Sequence, residues 1–379
     1  MNCTERFLTT LDHREPDRVP LVFGVGTPRF NESWMALHEE NISADDVVLF
    51  CGRDLTMAKQ MGFDAAWAWA PGARIIAPDL NRFRGRLPEL KTTQFITADG
   101  RIHEKGLIGG RQHDWYVGPA LTDLTLWLDW FEACKLEPAP PGVVHDVNKQ
   151  YKAVIGGPNG GLFPLVVMDS VLEVIVESLG FGAFAKACRK QKTLLERAFD
   201  KIIEIRMVQI QAYIDASIRV VVIADDSAYK DRTYIPPALH SELVIPRYRK
   251  IAERLHRAGI KCLLHSDGFT EPYFPGFIDA GIDGIVTIEM GAGMDVGRLK
   301  KLYGERLSLI APVDCSRLLS FGTPAEVERE VRNLVMQGAP GGGFAMGPCT
   351  SLLDTIPLRN AEMLVEATLK YGRYPIRPA

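Results

Sequence analysis

Several residues that can do chemistry stand just past the ends of apolar runs. His265-Ser-Asp267-Gly268 follows Lys261-Cys-Leu-Leu264. Asp225-Asp226 closes Val220-Val-Val-Ile-Ala224, and Glu289 ends Gly284-Ile-Val-Thr-Ile288. Asp314 follows the apolar run 307–312, and Cys349 sits in Met346-Gly-Pro-Cys-Thr350. Imidazole serves either as a general base or as a metal ligand. Histidine, glutamate and cysteine are all zinc ligands, and three protein ligands with one open position describe a catalytic zinc site. Such a mixed set fits zinc better than magnesium or calcium, which prefer all-oxygen shells. His265, Glu289 and Cys349 are therefore candidate ligands for such a site. Each has a plainer reading. His265 can hydrogen-bond Asp267, Glu289 can sit in a salt bridge because a lone buried carboxylate is costly, and Cys349 can simply pack.

The adjacent carboxylates Asp225 and Asp226 point in different directions. One of them can face the pocket as proton handler, cation binder or substrate partner, and the other can cap a helix or pair with Lys230 or Arg232. Asp225, Asp226 and His265 are the catalytic candidates. Asn159, Asp225, Tyr229 and Asp314 are the substrate-binding candidates. Asn159 belongs to Gly157-Pro-Asn-Gly-Gly161, whose backbone N–H groups either meet a ligand or form a plain turn.

All these positions must be held by elements of one kind. Residues 220–224, 262–264, 284–288, 307–312 and 343–346 read as short, continuously apolar strands separated by helical segments at 238–258, 269–280, 295–303 and 323–337. Alternation of that sort means a parallel sheet covered by helices. In a (β/α)8 barrel the polar strand ends converge at the C-terminal face, where active sites are built. The rival doubly wound sheet lacks its main signal, because no G-x-G-x-x-G follows the first strand. Thr323, Pro324 and Glu326 spell a capping box at the start of the helix 323–337. Earlier in the chain, residues 1–16 read as a helix, 18–24 as a strand and 154–156 as the end of another strand. A long helical region follows at 170–213, and a last helix at 358–371. The stretch 27–150 reads as irregular apart from a hairpin, residues 92–98 and 101–107 around Asp99-Gly100. It is expected to pack over the barrel mouth as an N-terminal extension of one barrel domain. Its Ala65-Ala-Trp-Ala-Trp-Ala70 segment reads as core packing or as an apolar wall.

Composition removes other classes. The 379 residues carry 44 basic and 47 acidic side chains, for a net charge of −3. No basic excess exists to neutralise phosphates, so nucleic acid is not an expected partner. Hydrophobic residues make up 46% and charged residues 24%, which is the mix of a globular chain and not of a disordered one. No apolar run of ~18 residues predicts a membrane span, and the first twenty residues lack the apolar stretch of a secretory signal. The 7 cysteines are scattered and odd in number, as expected of reduced thiols in a cytoplasmic protein.

In kind and order, a set of motifs is similar to the uroporphyrinogen decarboxylase-like superfamily. They are Glu5-Arg-Phe…Pro16-Asp-Arg-Val-Pro20, Ala224-Asp-Asp226, His265-Ser-Asp-Gly268, Gly281-Ile-Asp-Gly-Ile285, Leu299-Lys-Lys-Leu-Tyr-Gly304, Phe321-Gly-Thr-Pro-Ala-Glu326, Gly341-Gly-Gly-Phe344 and Pro357-Leu-Arg-Asn360. The resemblance implies a (β/α)8 barrel. True uroporphyrinogen decarboxylases carry an arginine-rich N-terminal stretch, whereas the matching Phe23-Gly-Val-Gly-Thr-Pro-Arg-Phe30 keeps only Arg29. A porphyrinogen with many carboxylates needs more cations than that. The chain more closely resembles the cobamide-dependent methyltransferase branch. That branch implies methyl transfer between a small substrate and a corrinoid on a partner protein, with zinc held by His-x-Cys, a distant Cys and a Glu. By motif, His265, Cys349 and Glu289 match, while Asp267 stands in place of the first cysteine. This oxygen ligand points to a methoxylated substrate and O-demethylation. The alternative is a cofactor-free decarboxylase in which Asp225 or Asp226 protonates carbon. The oligomeric state is left open, a homodimer included.

Overall fold

The computed structural model describes residues 1–37, 52–108, 111–157 and 161–376. Eight parallel strands form the centre: β1 (Val22–Phe23), β2 (Ala65–Trp69), β3 (Phe163–Met168), β4 (Val220–Ala224), β5 (Lys261–His265), β6 (Gly284–Val286), β7 (Ser308–Ile310) and β8 (Phe344–Ala345). Each pairs with the next in chain order. A parallel bridge between Leu21 and Met346 brings β8 back to β1, through Val22 N–H to Met346 O at 2.8 Å and Met346 N–H to Pro20 O at 2.9 Å. The architecture is the (β/α)8 barrel. Its strands are apolar throughout because one face fills the barrel and the other meets helices. The β-branched run Val220-Val-Val-Ile223 is fully buried, and such side chains suit a pleated surface.

Register then fixes the site. His265 pairs with Ala224 across β4 and β5, and with Val286 across β5 and β6. The last residues of three strands therefore stand level, and the chain beyond them emerges at one face.

Two expectations for the first 160 residues change. The stretch 27–150 is not irregular, since it contains β2 together with helices Pro28–Leu37, Gly52–Met61, Leu124–Ala133 and Pro141–Ile155. Ala-Trp-Ala-Trp escaped notice as a strand because its small residues lack β propensity; flanking strands override that weak preference. The run at 154–156 is the end of a helix, and the true strand is β3. A short apolar run cannot be told from a helix end by periodicity. The long helical region divides into Glu173–Leu179, Phe181–Lys190 and Lys192–Asp215.

The hairpin forms around Asp99-Gly100, with Gly100 at φ +80°. It gains a third strand, Arg111–Pro119, beside Arg101–Ile108. Arg101 pairs with Glu177 at 2.6 Å, tying this sheet to the helix that follows β3. The capping box at Thr323 and Glu326 is present.

At the opposite end of the barrel, the N-terminal motif has a structural job. Asp64, 1% exposed as a side chain, accepts from Arg6 at 2.6 Å and from Arg18 at 2.6 Å, and from Leu21 N–H at 2.9 Å. One carboxylate thus joins the first helix (Cys3–Leu11), the entry to β1 and the turn into β2. Among the described residues no helix is long and apolar enough to cross a membrane.

Candidate metal centre

Asp226, His265 and Asp267 each place a ligand atom within 4.8 Å of the other two. His265 Nε2 lies 3.9 Å from Asp226 Oδ1 and 3.9 Å from Asp267 Oδ1. A tetrahedral ion with ~2.1 Å bonds wants ligand atoms about 3.4 Å apart, so a small contraction closes the set. Two carboxylates and a neutral imidazole balance a dication and leave a fourth position for substrate.

Backbone and ring contacts hold the three side chains. Asp226 Oδ1 accepts from Asp267 N–H at 2.9 Å, so the loops after β4 and β5 lock together. Ser227 N–H donates to Ser266 Oγ at 3.0 Å in the same seam. The His265 ring meets the edge of Trp67 at 4.8 Å between centroids, and its Nδ1 lies 3.5 Å from the Thr287 hydroxyl. Asp267 Oδ1 is buried with no hydrogen-bond partner, although most buried carboxylate oxygens find one. An ion would satisfy it. Burial raises the Asp267 pKa to about 6; His265 opposes the rise, and the charges of Asp226 and Glu289 add to it.

Two consequences follow for pH. Zinc uptake needs Asp267 ionised, so affinity should be steady above pH ~7 and fall about tenfold per unit below ~6. A zinc titration across that range checks this, and a flat profile would remove Asp267 from the set. In the metal-free fold the sign is opposite. The folded state holds this proton more tightly than the unfolded chain does. Its stabilising contribution is therefore complete below pH ~4 and is lost as pH rises through ~6.

Gly268 makes this loop possible. Its φ is +87°, and a Cβ there would lie 2.6 Å from Tyr229 O and 2.7 Å from Ala228 O, both backbone atoms. Its N–H donates to Glu289 Oε2 at 2.8 Å. Gly268→Ala is expected to destabilise the fold by about 2–3 kcal/mol, through left-handed strain and a backbone clash. It should also lower metal affinity, which thermal unfolding with and without zinc would show.

The other expected site residues lie elsewhere. Asp225, considered above for catalysis and for substrate, is completely buried. It accepts from the N–H groups of Val171, Leu172 and Glu173 and from the Tyr248 hydroxyl at 2.7 Å. Burial raises its pKa while these donors oppose the rise. Strand alternation sends Asp225 toward the helices, which leaves Asp226 for the pocket.

Glu289 and Cys349 do not join the ligand cluster. Glu289 faces Gly268. Cys349 is 4% exposed; hydrogen bonding with Cys315, then burial, pushes its thiol pKa far up, and the Asp314 charge adds to the rise. Among the described residues, the ligand-type side chains that come within reach of one another are Asp226, His265 and Asp267, from two neighbouring loops. The signal for this set was present in Asp267, two residues from His265, and in the polar end of the adjacent strand.

Asp314 caps the turn Cys315–Leu319 through Arg317 N–H at 2.6 Å. Tyr229 packs with Tyr234 and Phe181. Asn159 lies outside the described residues. Sequence reasoning gave Trp67 no role beyond a wall; with His265 it lines a cavity of about 160 Å³. Pro348 and Thr350, which flank Cys349, line the same cavity.

The family model described as uroporphyrinogen decarboxylase (URO-D) matches residues 170–371, more than half of the chain. The chain belongs to this family. Its match takes in the loops that carry Asp226, His265 and Asp267. Among curated relatives, methylated-thiol–coenzyme M methyltransferase of Methanosarcina mazei is 24% identical over 261 residues, 66% of this chain and 64% of that protein. Methylcobamide:CoM methyltransferase of Methanosarcina barkeri is 26% identical over 218 residues, 58% of each. The chain thus spans less than two thirds of the length of these relatives. A solved methyltransferase from Methanosarcina mazei has a TM-score of 0.68 at 19% identity, covering 98% of this chain and 99% of its own. That likeness shows the barrel. Within the uroporphyrinogen decarboxylase family, the chain stands beside methyltransferases.

Proposed function

We propose that this chain is a methyltransferase that passes a methyl group from a small methoxylated substrate to a corrinoid held on a partner protein. The observation that carries the reading is the Asp226, His265 and Asp267 cluster at the barrel mouth. Its oxygen and nitrogen donors are harder than a thiolate set and suit an ether oxygen better than a thiol. The same three residues would hold zinc, which supplies Lewis acidity toward the leaving oxygen when bound. The protein's own part is to orient and to exclude water. Trp67 packs against the His265 ring, and the Asp267 N–H fixes Asp226. Val22, Val25, Val286 and Ala311 provide apolar walls beside them.

The decarboxylase alternative needs a cation to meet the substrate carboxylate. Among the described residues, neither lysine nor arginine lines the cavity that holds His265. To test the proposal, zinc-loaded protein is mixed with methoxybenzene and a reduced corrinoid protein, and the cobalt absorbance is followed. Methyl-cobalt formation that requires zinc is the expected result. Metal-independent release of carbon dioxide from a small acid, with no methyl transfer, would favour the decarboxylase.

A further inference from the structure

The buried carboxylate of Asp225 is a meeting point of three elements. Its Oδ2 accepts from Val171 N–H and Leu172 N–H at 2.9 Å each and from the Tyr248 hydroxyl at 2.7 Å. Its Oδ1 accepts from Glu173 N–H at 2.7 Å. The N–H donors lead from β3 into the helix Glu173–Leu179, and Tyr248 belongs to the helix Ile245–His256. Tyr248 is itself fully buried, with its ring against those of His240 and Phe277, so its hydroxyl has a fixed place. The backbone of Asp225 reaches the other way. Its N–H donates to His265 O at 3.0 Å, and the next residue, Asp226, accepts from Asp267 N–H at 2.9 Å. All three candidate ligands are therefore tied to the two-residue stretch 225–226.

We infer that Asp225 and Tyr248 are positioning residues for the metal centre, whose hydrogen bond keeps Asp226 turned toward His265 and Asp267 and couples the loop after β3 to zinc binding. This deepens the proposed function and rests on its metal centre, but neither residue touches metal or substrate. A strand end can be held by apolar packing alone. A buried carboxylate costs desolvation, and what it adds is direction, because charge-assisted hydrogen bonds are short and specific in geometry. Tyr248→Phe leaves Asp225 three donors, so the fold persists. The end of β4 gains freedom, and Asp226 must then be ordered when the ion arrives. Partners that orient a metal ligand from outside contribute about 10–100-fold in affinity. One donor of four places Tyr248→Phe at about tenfold. Coupling is reciprocal, so zinc should in turn hold residues 171–173, although none of them is a candidate ligand.

The test uses the full chain with zinc alone as the probe. Zinc affinity is measured by competition with a chelating dye in the parent, Tyr248→Phe, Asp226→Asn and the double variant. Tyr248→Phe should weaken zinc about tenfold in the parent and change it by less than about twofold once Asp226 is replaced, because residues that act through one another are not additive. The same loss in both backgrounds would mark a general structural effect and overturn the role, as would no loss in the parent. Full affinity in Asp226→Asn would overturn the metal centre instead. Hydrogen exchange of the parent with and without zinc needs no variant, and it decides if the Asp226→Asn forms bind too weakly to titrate or Tyr248→Phe folds poorly. Zinc should slow exchange at 171–173 as well as at 265–268, with the opposite end of the barrel unchanged. Slowing at 265–268 alone would overturn the positioning role and leave the metal centre standing. No slowing at either place, with no zinc bound, would overturn the metal centre on which the role rests.

Discussion

Replacing His265 by Ala is expected to remove zinc binding at micromolar metal and to lower methyl transfer by about 10³-fold or more. The size follows from the chemistry at stake. A Lewis acid on the leaving oxygen supplies several kcal/mol, and each ~1.4 kcal/mol is tenfold in rate. His265 contributes the cluster's single nitrogen, between two carboxylates at 3.9 Å each. Its loss leaves two like charges facing one another. Stability should change little, because the side chain sits at a strand end facing a cavity and has no close hydrogen bond; the Thr287 hydroxyl is 3.5 Å away. Metal analysis and single-turnover transfer check both parts. Full zinc occupancy with full activity would move the site away from this strand end.

Asp64→Ala is expected to give the largest loss of stability. Its carboxylate is 1% exposed and meets Arg6 and Arg18 at 2.6 Å each. Removing one partner of a buried ionic group leaves charge uncompensated and costs about 3–5 kcal/mol. The site chemistry lies at the other end of the barrel, so methyl transfer per folded molecule should persist. Denaturant unfolding paired with activity at low temperature separates the two effects. A loss below ~1 kcal/mol would show that Arg6 and Arg18 find solvent or other partners.

The contrast between these residues shows what the sequence could convey. Continuous apolar runs made β4 through β8 legible because parallel strands buried on both faces need no polar alternation. The polar residues after each run then marked the mouth of the barrel. β2 was hidden, since Ala-Trp-Ala-Trp has weak strand preference and gains its conformation from pairing with β1 and β3. The third strand of the small sheet was hidden as well, because Arg111-Gln-His-Asp114 reads as a polar loop.

In the site, Asp226, His265 and Asp267 were all legible as candidates, but their grouping was not. Cys349 and Glu289 have the right types and strand ends, yet their partners are Cys315 and Gly268. Side-chain direction decides such matters. Asp225 and Asp226 are adjacent and chemically identical, and only the fold shows that one is held by Tyr248 and three N–H groups while the other faces His265. Trp67 was underrated for a related reason, since its ring contact with His265 is visible only once β2 takes its place in the barrel.

X-ray absorption at the zinc edge of the loaded protein bears most directly on the metal centre. An Asp226, His265 and Asp267 site predicts a first shell of oxygen and nitrogen alone, at about 2.0–2.2 Å. A sulfur scatterer at about 2.3 Å would put Cys349 or another thiolate on the metal and contradict it.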